Sequence, residues 1–164
     1  NSIILNYDQK SKYLFKWYQQ LVAESLGKKG KGILPVISDM PKDNHSTMQL
    51  YLDGFKNNFF TFFYCKETQA EKIINKTLLK DYKFLKDCTV DDIILKQKVA
   101  TEKVFEKKNI PFRSFEIDNR NEEALGELFC YFILETILLG KSLKVNPFDQ
   151  PSVELIKTET RKLF

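Results

Sequence analysis

Hydrophobic positions along the chain follow two periods, one typical of strands and one typical of helices. Short apolar or β-branched runs, which predict buried strands, cover residues 2–6, 33–37, 58–65 and 111–117. Segments with apolar residues three to four positions apart, which predict helices, cover residues 9–26, 46–52, 69–79, 90–107, 122–139 and 152–164. The alternation predicts an α/β fold, a three-layer αβα sandwich with a mainly parallel sheet. In such folds, ligand contacts are expected at the carboxyl ends of the strands.

Glycine and proline mark several of the predicted boundaries. Gly27 is placed to end the first long helix, Gly140 to end the helix that begins at residue 122, and Pro151 to open the last helix. In the last helix, the helical period directs Val153 and Ile156 towards the core.

Composition favours one folded domain and excludes several functions. Hydrophobic residues make up 43% of the 164 residues, and no apolar run reaches the length of a membrane span. The net charge is +4, but the lysines are interleaved with acidic residues, which favours a solvated surface over a nucleic-acid interface. Cys65, Cys88 and Cys130 form no CxxC pair, which predicts reduced thiols in a cytoplasmic protein. The single histidine, His45, excludes a multi-histidine metal site.

Residues 27–32 read Gly-Lys-Lys-Gly-Lys-Gly, a composition that suggests phosphate binding. A P-loop follows a strand, precedes a helix and carries Ser or Thr after its Gly-Lys pair. Here the glycines follow a helix and precede a strand, and no Ser or Thr follows a Gly-Lys pair. We therefore interpret this segment as a helix end followed by a mobile basic turn.

Five positions carry groups suited to acid–base chemistry, and each also has a plain structural interpretation. Gln20 and Glu24 share one helix face. They are either an amide neighbour (Gln20) beside a general base (Glu24) or a solvated polar pair. His45 follows the second predicted strand, either as a proton carrier near neutral pH or as an exposed loop residue. Gln150 and Lys157 are two turns apart on the last helix, in a site or on a solvated face. The sequence pattern alone does not decide between the functional and the structural interpretation of these residues.

Three separated motifs of this chain resemble the glucose-6-phosphate isomerase family. They are residues 17–28 (WYQQLVAESLGK), 43–54 (DNHSTMQLYLDG) and 140–157 (GKSLKVNPFDQPSVELIK). The third is close to a signature of that family, and the three occur in the family's order. The resemblance spans nearly the whole chain and is weakly marked over residues 66–109. Two positions depart from the pattern, since many members have glycine at Ser152 and a small residue at Ile156.

The resemblance implies a sugar isomerase (SIS) fold, with residues 1–164 as the single C-terminal SIS domain of a larger two-domain enzyme. The first residue is Asn1, and we expect the chain to be a piece of a longer protein that also has an N-terminal SIS domain. The family interconverts glucose 6-phosphate and fructose 6-phosphate in glycolysis and gluconeogenesis, through ring opening and a cis-enediol, without a metal or organic cofactor. Its phosphate-binding loop and its enediolate-stabilising arginine precede the position of Asn1, so the isolated chain is expected to be inactive.

The resemblance also implies a role for each of the five candidate residues. Glu24 would be the base, Gln20 and Gln150 would bind the substrate, and His45 and Lys157 would open the sugar ring. Family members contribute the histidine to the neighbouring subunit's site, which implies a homodimer. Two alternatives stay open: a SIS domain that senses a phosphosugar without turnover, and an isomerase with some activity on mannose 6-phosphate.

Overall fold

In the computed structural model, four parallel strands form a sheet within the residues that the structure describes, which are 1–66, 72, 80, 82–86 and 88–164. The strands are β1 (Ser2–Asn6), β2 (Pro35–Asp39), β3 (Phe59–Cys65) and β4 (Phe112–Ile117). They lie in the order β2-β1-β3-β4, and every neighbouring pair is parallel. The predicted α/β class with a parallel sheet is therefore confirmed.

Helices occupy the connections between the strands and follow the last of them. They are α1 (Lys12–Leu26), α2 (Met48–Asp53), α3 (Val90–Lys107), α4 (Glu122–Leu143) and α5 (Pro151–Lys162). Short 3-10 helices cover Gln9–Ser11, Lys42–His45 and Lys83–Leu85. The predicted helix at 69–79 lies outside the described residues, apart from Lys72. Among the described helices, none is long and apolar enough to cross a membrane.

Each face of the sheet has its own hydrophobic core, because successive side chains of a strand point to opposite sides. On one face, Ile4 of β1 belongs to a buried cluster with Phe15 of α1 and Phe132 of α4. On the other face, Leu5 belongs to a second cluster that contains Phe105 of α3. The result is a three-layer arrangement, with α1 and α4 on one side of the sheet and α2 and α3 on the other.

Several predicted boundaries move by one to three residues. β2 begins at Pro35 rather than at residue 33, because its five residues pair in register with the five residues of β1. β3 and β4 each begin one residue later than predicted. At the first helix, the Asp8 side chain accepts a hydrogen bond from the Lys10 backbone N–H at 3.2 Å and caps a 3-10 turn. The α-helix itself therefore begins at Lys12.

The prediction that Gly140 ends its helix is wrong. α4 continues to Leu143 and ends where Lys144 adopts a left-handed φ of 58°, while the Val145 N–H bonds back to the Gly140 carbonyl at 3.0 Å. A Cβ at Gly140 would lie 3.2 Å from the Cβ of Pro147, which is closer than most such contacts. Glycine at this position lets the turn after α4 pack closely against the helix.

The prediction that Val153 and Ile156 face the core is also wrong. These side chains are 38% and 67% exposed, and no residue of α5 is buried. The predicted start is confirmed, since Pro151 is the first residue of the helix. Packing within the described chain therefore does little to hold α5, and its start is held by polar contacts.

Candidate active site

The carboxylate of Glu24 lies between two side-chain amides. Gln20 Nε2 donates to Glu24 Oε1 at 3.2 Å, and Gln150 Nε2 donates to Glu24 Oε2 at 3.0 Å. Gln20 lies one turn earlier on α1, whereas Gln150 is the N-cap residue of α5 and is 126 positions away in sequence. A donor on each oxygen fixes the plane of the carboxylate and leaves further lone pairs available. The structure thus brings three of the five predicted residues together.

A pocket of about 230 Å³ opens beside Glu24. It is lined by α1 residues near Glu24 and by the first residues of α5, including Gln150 and Ser152. Ligand pockets usually measure about 300–1,000 Å³, so this pocket is smaller than a typical ligand site. A larger cavity of about 560 Å³ lies between the starts of α1 and α4, but it contains none of the five predicted residues. We take the smaller pocket as the candidate site because it contains Glu24, although the other cavity has the larger volume.

Lys157 lies on α5. In the described part of the chain, its side chain makes no hydrogen bond or ion pair with Glu24. Its ammonium pairs with Glu154 at 2.6 Å, which confirms that these two side chains share a helix face. Seven residues of α-helix separate Lys157 from Gln150, a rise of about 10 Å. The Lys157 side chain is 56% exposed and is therefore open to contacts from outside this chain.

His45 and Glu24 lie near opposite ends of the strands. Glu24 is near the amino end of β2, and His45 follows its carboxyl end. The second half of α1 is beside the start of β2, where Gln19 Nε2 donates to the Pro35 carbonyl at 2.9 Å. His45 closes the 3-10 helix that follows the carboxyl end of β2, and this 3-10 helix delays α2 by two residues from the predicted 46–52. The five residues of β2 span about 16 Å. His45 therefore lies at the carboxyl ends of the strands, where ligand contacts were expected, whereas Gln20, Glu24 and Gln150 lie together near the start of β2.

The lysine–glycine segment forms a tight turn, as predicted, and Gly27 is the C-cap residue of α1. A Cβ at Gly27 would lie 2.8 Å from the Ala23 carbonyl oxygen, so this position has no room for a side chain. The backbones of Lys28 and Lys31 form an isolated bridge across the turn. The Lys28 side chain is only 8% exposed, so it does not belong to the solvated surface that the interleaved charges favour for the lysines.

This chain is similar to known proteins in sequence and in fold. No protein-family model matches the chain. Glucose-6-phosphate isomerase of Methanocaldococcus jannaschii is 36% identical over 153 residues, which cover 93% of this chain and 38% of that protein. Glucose-6-phosphate isomerase of Mycoplasmopsis pulmonis is 33% identical over 165 residues, which cover 98% of this chain and 38% of that protein. The chain is homologous to glucose-6-phosphate isomerases. It spans about 38% of the length of these relatives.

Solved structures share the fold of this chain. A hypothetical protein of Thermus thermophilus superposes with a TM-score of 0.89 at 26% identity, over 98% of this chain and 40% of that chain. A glucose-6-phosphate isomerase from Chlamydia trachomatis gives a TM-score of 0.76 at 15% identity, over 99% of this chain and 34% of that chain. The second likeness concerns the fold alone. The resemblance to glucose-6-phosphate isomerases that the three motifs predicted is confirmed.

Lys28 and Asp149 make a contact that the sequence did not predict. Lys28 Nζ lies 3.0 Å from Asp149 Oδ1. The hydrogen bond from Lys28 is the main cause that lowers the pKa of the Asp149 carboxyl. Both residues lie within matched motifs, and Asp149 precedes Gln150, but no spacing rule links positions so distant in sequence. No group of three His, Cys, Asp or Glu side chains that could hold a metal occurs in the described part of the chain.

Proposed function

We propose that this chain is the C-terminal SIS domain of a cytoplasmic glucose-6-phosphate isomerase. The proposal assigns residues 1–164 to that domain and the phosphate-binding part of the site to an N-terminal SIS domain outside this chain. Homology to proteins of that name supports it, as does the chain's share of about 38% of their length. The observation that carries it is the Glu24 carboxylate held between the amides of Gln20 and Gln150.

Glu24 is the base in this mechanism. In open-chain glucose 6-phosphate, its carboxylate removes the proton from carbon 2, and the electron pair of that bond forms a double bond to carbon 1. The carbonyl oxygen of carbon 1 gains a proton, which completes the cis-enediol. Glu24 then returns its proton to carbon 1 while the carbon 2 hydroxyl loses its own, which gives fructose 6-phosphate. The amides of Gln20 and Gln150 orient the carboxylate, so that it can take and return the proton on one face.

Ring opening precedes this step and uses His45 and Lys157. The ring oxygen of the cyclic sugar gains a proton and the carbon 1 hydroxyl loses one, as the bond between carbon 1 and the ring oxygen breaks. We assign His45 to the site of the neighbouring subunit in a homodimer. The position of His45 across the sheet from Glu24 supports this assignment, because the length of β2 separates the two within one chain.

Replacement of Glu24 by glutamine in the complete protein tests the proposed function. Glutamine has nearly the same shape but cannot accept the carbon 2 proton, so kcat for glucose 6-phosphate should fall by about 10³-fold or more. Binding of the sugar phosphate should change little, because only proton transfer is lost. Glu159→Gln on the exposed face of α5 removes the same charge away from the pocket and should leave kcat unchanged.

Each other result would have a distinct meaning. Near-normal turnover by Glu24→Gln would show that Glu24 is not the base. A wild-type protein that binds the sugar phosphate without turnover would be a phosphosugar sensor rather than an enzyme. Parallel assays with mannose 6-phosphate would establish whether the enzyme also acts on that epimer.

A further inference from the structure

The ammonium group of Lys28 is saturated with acceptors from two distant parts of the chain. It donates to the Ser25 carbonyl at 2.9 Å and to the Asn146 carbonyl at 2.5 Å, and it pairs with Asp149 Oδ1 at 3.0 Å. An ammonium has three protons, so these three acceptors use its full capacity. The Lys28 side chain is 8% exposed, and the charge is therefore largely withdrawn from water.

These contacts join the end of α1 to the turn between α4 and α5. Asp149 is followed directly by Gln150, whose amide donates to Glu24 Oε2 at 3.0 Å. Lys31 Nζ donates to the Leu143 carbonyl at 2.8 Å and holds the start of the same turn. No residue of α5 is buried, so packing of this helix cannot fix the position of Gln150.

We propose that Lys28 is a positioning residue for the base: it holds residues 146–149 against the end of α1, so that Gln150 stays in contact with Glu24. Lys28 does not touch the substrate in this account and acts through Gln150. The inference rests on the proposed function of Glu24. The lowered pKa of Asp149 supports it, because the carboxylate then stays ionised and paired with Lys28 to a lower pH than an ordinary aspartate would.

A double-mutant cycle on the complete protein separates positioning from general stabilisation. Lys28→Met removes the ammonium and keeps most of the side-chain length, and we expect kcat to fall about 10-fold with a smaller change in KM, because Glu24 loses a defined orientation. Lys29→Met is the matched control: its side chain is exposed and has no hydrogen bond or ion pair with the described residues. We expect that variant to stay within about 2-fold of wild type.

The second half of the cycle repeats Lys28→Met in a Gln150→Ala background. If Lys28 acts through Gln150, its replacement should then change kcat by less than about 2-fold, because the contact that it supports is already gone. A purely structural role would lower activity by the same factor in both backgrounds. If Lys28→Met unfolds at the assay temperature, Asp149→Asn takes its place in the cycle, since Asp149 is 53% exposed and this change keeps the side-chain shape but removes the negative charge that pairs with Lys28.

The outcomes distinguish this inference from the proposed function. An unchanged kcat for Lys28→Met, or equal losses in both backgrounds, overturns the role of Lys28, while an inactive Glu24→Gln variant leaves the function standing. A wild-type protein without isomerase activity, or a fully active Glu24→Gln variant, overturns both. A loss of kcat that disappears in the Gln150→Ala background supports the positioning role.

Discussion

Tyr7 has a buried hydroxyl group on one face of the sheet. The pH at which this group loses its proton depends on how well that face is packed. It is 2% exposed and donates to Thr101 Oγ1 at 3.0 Å. Burial, as the main cause, raises the pKa of Tyr7 to about 12. Because tyrosine in an unfolded chain loses its proton near pH 10, the unfolded state is favoured as pH rises from about 10 to 12. The stability that neutral Tyr7 contributes is therefore complete below pH 10 and is lost through that window.

Urea unfolding of the wild type and of Tyr7→Phe at pH 9 and pH 11 measures this effect. The free energy of unfolding should fall more steeply with pH for the wild type, because the phenylalanine variant has no proton to lose at this position. Other groups titrate equally in both proteins. Identical pH dependence in the two proteins would contradict the raised pKa.

His45 and Lys157 give a second prediction for single residues. His45→Ala and Lys157→Ala in the complete protein should lower turnover of cyclic glucose 6-phosphate by about 10²-fold or more, because ring opening loses its acid–base groups. An open-chain substrate analogue needs no ring opening, so its turnover should fall much less. Lys162→Ala is a matched control for the lysine, since Lys162 forms an equivalent exposed pair with Glu159 at 2.6 Å on the same helix. Equal losses on cyclic and open-chain substrates would remove the ring-opening role.

How much of the site the sequence could predict differs from contact to contact. The contact between Gln20 and Glu24 follows from a spacing of four on a helix, which is a local rule. The contact between Gln150 and Glu24 depends on how the turn after α4 folds back. The resemblance to a family implied only that both residues belong to one site, not that they contact each other. For Lys28 the sequence indicates only a basic turn, because its partners Asn146 and Asp149 lie about 120 positions away, beyond the reach of any local pattern.

Among the elements, α4 offers a paired test of two glycines in one helix. A Cβ at Gly126 would meet no atom within 4 Å, whereas one at Gly140 would lie 3.2 Å from the Cβ of Pro147. Gly126→Ala should therefore raise the free energy of unfolding by about 0.5–1 kcal/mol, the usual gain inside a helix. Gly140→Ala should gain clearly less or lose stability, because Pro147 must move. Equal gains in the free energy of unfolding, measured by thermal or urea unfolding, would show that Pro147 can move without a loss of stability.

The elements themselves were largely predictable, because each has a clear period of its own. β1 and α3 have the bounds that the sequence predicts, and the predicted ends of α1, β3 and β4 and the predicted start of α4 also hold. The starts of β2, α1 and α2 shift where strand pairing or a 3-10 turn intervenes. The exposure of α5 was not predictable, since periodicity identifies an apolar face but not whether another element covers it. The same limit explains the wrong prediction for Gly140. This residue is in close contact with Pro147 and does not end the helix.

For the whole molecule, the separation of His45 from Glu24 predicts that each site needs two chains. In a homodimer built this way, mixed dimers of Glu24→Gln and His45→Ala have one site with both residues intact and one with neither. If equal amounts of the two variants are refolded together, half of the dimers are mixed and half of their sites are intact. Activity should therefore return to about a quarter of the wild-type value, although each variant alone has about 1% of that value or less. No recovery above the separate variants would contradict a shared site.

Breaking of the carbon 2 C–H bond of glucose 6-phosphate is the most direct test of Glu24 as the base. Proton NMR in D2O follows this bond, because both isomerisation and exchange with solvent remove the carbon 2 proton signal. The complete wild-type protein should remove the signal rapidly, and Glu24→Gln should do so at least about 10³-fold more slowly with the sugar phosphate still bound. Loss of the signal at a rate near that of the wild type in Glu24→Gln would contradict the account.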